Sequence, residues 1–214
     1  MSSSIFKKYR HLLLLAIYPL FTLWYFLLNQ SDRPIHMISC PLDYRLPFCE
    51  WFILPYVGWY IYVFIALILT ARQSPKAFVR LCLLLYSGMA VAQLLQTVYP
   101  TGIDFRPTSF ERDNFLTWIV GIIYASDAPV NVFPSIHCYN ALAAHLACYC
   151  RLPGATRLHK ALSLLFVILV FLSTVLIKQH SVLDAVGAIL LMAILYPLLF
   201  CVPWRRLLGR KEEE

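Results

Sequence analysis

Charge is what this sequence has least of. Only 14% of its residues are Asp, Glu, Lys or Arg, against roughly a quarter in an ordinary soluble domain. Such a chain is not built to present a solvated surface all round. Metal and nucleotide signatures are missing too. No Cys/His spacing of the zinc kind and no glycine-rich phosphate loop occurs, so no metal and no cofactor is expected. The seven cysteines are Cys40, Cys49, Cys82, Cys138, Cys148, Cys150 and Cys201. Their number is odd and most sit in apolar runs, so no disulfide framework is implied. Cys40 and Cys49 share one polar segment and could pair in an oxidising compartment. There is no inverted repeat and no pair of interrupted apolar runs, which argues against a small transporter.

Apolar residues are abundant at 60%, and aromatic ones reach 15%. They gather into six runs, at about 11-28, 51-70, 79-99, 132-150, 161-177 and 181-203. Each approaches the ~20 residues that cross a bilayer. Backbone in lipid must satisfy its own hydrogen bonds, so each run is expected to be helical. The predicted fold class is therefore all-α, an integral membrane bundle of six transmembrane helices forming one catalytic domain over 1-214. Pro19 and Pro197 fall inside runs and are expected to kink them. The first run follows Lys7, Lys8 and Arg10 like a signal peptide. It is long for one, and no small-x-small site precedes Asn29-Gln30-Ser31, so it reads as a retained anchor.

The connecting segments set the orientation. Thirteen of the 18 Lys and Arg lie in the N-terminus, the 71-80 and 151-160 loops and the C-terminus. These are Lys7, Lys8, Arg10, Arg72, Lys76, Arg80, Arg151, Arg157, Lys160, Arg205, Arg206, Arg210 and Lys211. The other side holds Arg33, Arg45, Arg106, Arg112 and Lys178, together with eight of the 11 acidic residues. The positive-inside rule then makes both termini cytoplasmic in a multi-pass cell-membrane protein. The basic balance reports membrane topology and anionic lipid heads as partners, not nucleic acid. Of the two outer loops, 29-50 is broken by Pro34, Pro41 and Pro47 and mixes charge with aromatics, as suits the interface. The loop 100-130 contains an apolar patch, Phe115 to Ala125, too short to span and expected to lie in the interface as a short helix or to dip in and return.

Three clusters fall on the outer side. The most pointed is Lys178-Gln-His180-Ser-Val-Leu-Asp184, at the turn between the fifth and sixth runs. On a helix, His180 and Asp184 would share a face, and the carboxylate could orient the imidazole. Taken alone, the segment reads equally well as a capped and solvated helix end. The fourth run opens Asn131-Val-Phe-Pro134-Ser135-Ile-His137. Asn131 suits an N-cap and Pro134 a first turn, so a helix start would aim N–H groups outward as an anion site. His145 lies two turns deeper and reads as a packed, hydrogen-bonded residue. The third cluster is Arg106-Pro107. Oligomeric state leaves no mark in the sequence.

Together these groups describe metal-independent phosphoryl transfer, in which positioning and charge do most of the work. His180 would attack phosphorus, with Asp184 fixing its tautomer. His137 would protonate the departing oxygen and later deprotonate water. Arg106 would grip phosphate oxygens as a fork, helped by Ser135 and Lys178. A site at the lip of an apolar bundle makes a lipid phosphate the natural substrate.

The Arg-Pro, Pro-Ser-x-His and Ser173-x₆-His180-x₃-Asp184 series resembles the three signature motifs of the type 2 phosphatidic acid phosphatase superfamily, which includes the lipid phosphate phosphatases. Their active site is shared by the vanadium haloperoxidases. That resemblance implies a six-span fold, His180 as nucleophile, His137 as acid/base, Asp184 as its orienting partner, and Arg106 and Ser135 as phosphate contacts. Three positions depart from the pattern. Tyr99 stands where the first motif usually has Lys, Thr174 where the third has Arg, and Ile136 where the second often has Gly. A site with fewer cations suits a phosphodiester, so the chain is also similar to the sphingolipid-synthase branch, which moves a phospho-headgroup between lipids. The expected activity is thus a lipid phosphatase, with a lipid phosphotransferase as the alternative.

Overall fold

A computed structural model describes residues 10–29 and 33–201. Lys7, Lys8, Arg205, Arg206, Arg210, Lys211 and the last residues of the sixth run lie outside the described residues. The chain is mostly helical. A 3₁₀ stretch, Arg10–Ile17, leads into α1 (Tyr18–Asn29). Then come α2 (Pro41–Arg45), α3 (Ile53–Gln73), α4 (Pro75–Val98), α5 (Phe115–Ser126), α6 (Ile136–Ala147), α7 (Arg157–Leu176) and α8 (Val182–Phe200). Two residues at His36–Met37 (β1) pair in parallel with Thr101–Gly102 (β2) and tie the outer loops together.

Among the described residues, five helical stretches are long and apolar enough to cross a membrane: Arg10–Asn29, Glu50–Gln73, Pro75–Val98, Arg157–Leu176 and Val182–Phe200. Their starts are written in cap chemistry that hydropathy alone overlooks. Ser74 accepts from Ala77 N at 3.1 Å with Pro75 at N1, so α4 begins four residues before the apolar run. Thr156 accepts from His159 N at 3.3 Å, and α7 likewise starts early. Pro197 lies inside α8, as expected, but Pro19 sits in the first turn of α1, where proline is tolerated.

The fourth apolar run differs most from its expectation. Instead of a helix over 132-150, it gives the 12-residue α6 followed by a 3₁₀ turn, Tyr149–Arg151. At 1.5 Å per residue α6 is only about 18 Å long, short of the ~30 Å hydrocarbon core. The reason is its setting. α6 packs against α3, α4, α7 and α8 at once, with Ala141, Ala143 and Ala144 fully buried. Small side chains let four neighbours close in. Gly88 of α4 takes this furthest, since a Cβ there would stand 1.9 Å from the Tyr139 ring. Tyr139 in turn donates to Leu84 O at 2.9 Å.

Contacts also fix direction. At one end of the bundle, Cys138 of α6 meets Thr174 of α7, and Tyr56 of α3 meets His137. At the other, His145 meets Ser163, and Tyr149 meets Tyr62. So α3 and α6 run parallel, and α7 returns against them. The large apolar side chains left exposed, such as Leu54, Phe64, Leu94, Leu165 and Leu190, lie on the long helices. In a bundle this apolar, such faces suit lipid better than water.

Candidate functional site

The turn between α7 and α8 is built by two caps in succession. Past α7, Lys178 N donates to Val175 O at 3.1 Å, and Gln179 N to Thr174 O at 2.9 Å. That is the Schellman arrangement, whose C′ residue must be left-handed. Lys178 takes that place with φ 56°, where glycine is usual. Its ammonium donates to Asp43 O and Leu46 O, both at 2.6 Å, so the outer loop holds it there. Burial lowers the Lys178 pKa, and Asp43 opposes that shift.

Ser181 then caps α8, accepting from Leu183 N at 3.1 Å. Asp184 is the N3 residue of the same capping box, with Oδ2 accepting from Ser181 N at 2.9 Å. The same oxygen lies 3.2 Å from His180 Nδ1. Capping and orienting, which the sequence leaves as rival readings, are done by one carboxylate. His180 itself is not on the helix. It stands one residue before the cap, so the pair does not share a helix face as expected. With Nδ1 held, Nε2 is the nitrogen left to meet a ligand.

His137 reaches the same place from α6. Its ring lies 5.7 Å from that of His180, centroid to centroid. Tyr56 stacks on it at 4.5 Å, and Trp59 packs against it at 4.4 Å. Ser135, not Asn131, is the N-cap of α6, accepting from Cys138 N at 3.4 Å. Pro134 lies before the helix instead of in its first turn, following a cis peptide bond. Ser135 N also donates to Asp184 O at 3.1 Å, joining the start of α6 to the first turn of α8. That bond brings the two histidines to one depth. Gly187 helps, because a Cβ there would fall 2.4 Å from the Phe133 ring, in the segment leading into α6.

Arg106 closes the group from the second outer loop. It donates to Asp127 O at 2.7 Å and to Gln179 Oε1, with Tyr124 beneath its guanidinium at 4.8 Å. Burial lowers its pKa, and the nearby Asp127 carboxylate pulls it back up. Arg106, His137, His180, Gln179 and Asp127 all line one cavity of about 390 Å³. Its apolar wall comes from aromatic residues of α1 and α3, including Phe21, Tyr25 and Trp59.

Two expected contacts point elsewhere. Lys178 does not line the cavity, and its ammonium is spent on two loop carbonyls. Ser135 is fully buried as the cap of α6 and does not line it either. Tyr99, in the place of the first-motif Lys, is 55% exposed and stacks on His36 at 4.0 Å. Thr174 is buried, its hydroxyl donating to Phe171 O and meeting Cys138 Sγ, and it does not line the cavity. Asp127, Tyr25 and Asp43 belong to the site or its frame but stood out in no motif, and Gln179 lies inside the Lys178 to Asp184 motif without having been given a role. Asp43 is buried, taking bonds from Ser181 Oγ at 2.6 Å and Val182 N at 2.8 Å. A carboxylate in a proline-broken loop was the one signal for it. Cys40 and Cys49 are free thiols.

Fold and site together define a helical protein, apolar enough to cross a membrane several times, with a two-histidine, one-arginine cavity at one end. No family model matches the chain, nor does any curated protein or solved structure.

Proposed function

We propose that the protein cleaves a lipid phosphoester through a phosphohistidine on His180. One observation carries this reading: the Asp184-held ring of His180, the ring of His137 and the guanidinium of Arg106 line one cavity with an apolar wall. In the first step His180 Nε2 bonds to phosphorus as the bond to the lipid oxygen breaks. His137 gives its proton to that oxygen. Asp184 stabilises the imidazolium that forms. Arg106 and the Gln179 amide hold the phosphoryl oxygens. In the second step His137 takes a proton from water as it displaces His180. Lipid tails rest against the aromatic residues of α1 and α3. α6, with its flanking turns, makes a sixth crossing within the shelter of its four neighbours. By the charge bias the site faces the extracytoplasmic side and both termini are cytoplasmic.

A second reading, transfer of a phospho-headgroup to a lipid alcohol, is favoured by the count of cations. Among the described residues, Arg106 is the single Lys or Arg lining the cavity. A phosphodiester brings one negative charge where a monoester brings close to two. Purified protein in mixed micelles, incubated with lipid phosphomonoesters and phosphodiesters and quenched in denaturing detergent at high pH, tests both. Free phosphate supports hydrolysis, and headgroup on an added lipid alcohol supports transfer. A base-stable phosphoprotein that His180→Ala abolishes is expected in either case. Turnover unchanged in that variant sinks the proposal.

A further inference from the structure

The cavity has a second polar region that the cleavage chemistry leaves unused. It is formed by Gln93 and Gln96, one turn apart on α4, and by Asn131, which lines the same cavity. All three are nearly inaccessible, at 1%, 1% and 5% exposure. Each has a buried side-chain carbonyl oxygen with no hydrogen-bond partner among the described residues: Gln93 Oε1, Gln96 Oε1 and Asn131 Oδ1. Buried polar groups are nearly always paired, so three in one cavity wall call for an explanation.

Which atom is oxygen is fixed at Gln93. Its amide nitrogen donates to Phe21 O at 2.9 Å, and a backbone carbonyl can only accept, so the remaining atom is the acceptor. Gln179 is fixed the opposite way. Its Oε1 accepts from Arg106, which can only donate, so its unpartnered Nε2 is a donor. The Arg106 and Gln179 side of the cavity therefore offers donors, and Gln93 on the α4 side offers a neutral acceptor.

We infer that Gln93, Gln96 and Asn131 form a subsite for the hydroxyl groups of an uncharged, polyhydroxylated headgroup, carried on a phosphodiester whose phosphoryl group lies against Arg106 and Gln179. This rests on the phosphoester reading above and narrows its substrate class. Donors match an anion, and unpaired neutral acceptors match hydroxyl hydrogens. A trimethylammonium headgroup has no hydrogen to give and leaves all three oxygens buried and unpaired. Sites built to hydrogen-bond a hydroxyl discriminate strongly against ligands that lack it. The charge balance agrees. Asp127 stands beside Arg106 and accepts from Tyr25, so the one guanidinium is already partly offset and suits a monoanion.

The test compares phosphatidylinositol, phosphatidylglycerol and phosphatidylcholine in mixed micelles, with wild-type protein and with Gln93→Met and Gln96→Met. Wild type is expected to turn over the two hydroxylated lipids with kcat/KM at least about tenfold above that for phosphatidylcholine. The Met variants should erase most of that ratio by lowering kcat/KM on the two hydroxylated lipids. Equal wild-type rates on all three lipids overturn the hydroxyl subsite and leave the cleavage reading standing. No turnover of any lipid phosphoester, mono- or di-, overturns the cleavage reading itself. The wild-type comparison needs no variant to fold.

Discussion

The bundle buries a histidine cluster at each end, and the two are wired differently. At the far end, His145 Nδ1 meets Ser163 Oγ at 2.8 Å, its Nε2 meets Cys150 Sγ at 3.2 Å, and Ser163 meets Tyr62 OH at 2.6 Å. Every side-chain partner there is supplied from within. At the other end, His137 Nε2, Arg106 Nε and Gln179 Nε2 are buried with no partner among the described residues, and all three residues line one cavity. A closed network rigidifies a fold, whereas an open one has bonds left for a ligand. The far cluster reads as structure and the near one as chemistry, though both contain a buried histidine and a hydroxyl.

The most severe way to break the comparison is to remove His180. His180→Ala should cut lipid phosphoester turnover by at least about 10³-fold while thermal unfolding stays close to wild type, because the capping bonds of Asp184 to Ser181 survive. Asp184→Asn comes next. Asparagine can still cap, so the fold should persist, but it no longer stabilises an imidazolium or enforces the tautomer. A loss of about 10²- to 10⁴-fold in kcat is expected. A variant with full kcat would reduce Asp184 to a cap.

Much of this end is legible in the chain, and what is not has definite causes. The Ser-x-x-Asp box and the His before it are local, so their chemistry shows in sequence. The mistaken placement of His180 on a helix face came from reading a four-residue spacing without the Schellman turn, which depends on a lysine adopting a left-handed conformation that sequence favours for glycine. Lys178 reads as a phosphate ligand in sequence because cations near a histidine suggest one. Its actual partners, the carbonyls of Asp43 and Leu46, lie over 130 residues away in the chain. Long-range frames of that kind leave no periodic signal. The short α6 was hidden for a related reason. An apolar run has the same composition whether it faces lipid or is enclosed by four helices.

Lys178 therefore offers a sharper test of position against contact. Lys178→Met leaves two buried carbonyls unpaired, a loss of about 1–3 kcal/mol, and loosens the turn that aims His180. Turnover should fall about tenfold in kcat with KM little changed, alongside a lower unfolding temperature. A rise in KM with unchanged stability would return Lys178 to the phosphate. At the far end the expectation reverses. His145→Phe should lower stability by about 1–3 kcal/mol by breaking the bonds to Ser163 and Cys150. Activity per folded molecule should stay within about twofold, and a larger drop would mean that the two ends are coupled.

The smallest effect expected is at Tyr99. Its place in the chain resembles that of a phosphate-binding lysine, so restoring the charge with Tyr99→Lys looks like a gain. The geometry says otherwise. Tyr99 follows the end of α4, stacks on His36 and is more than half exposed, and it is not part of the cavity wall. A lysine there would hold its ammonium in water or near headgroups, where screening makes a remote charge weak. Turnover of a phosphomonoester lipid should change by less than about twofold, with only the loss of one exposed ring stack in stability. A gain of tenfold or more would mean that the second outer loop swings inward when substrate binds. The cavity would then be completed by a cation that its resting form keeps at the rim, and the contrast between the open and closed clusters would become one of motion as well as wiring.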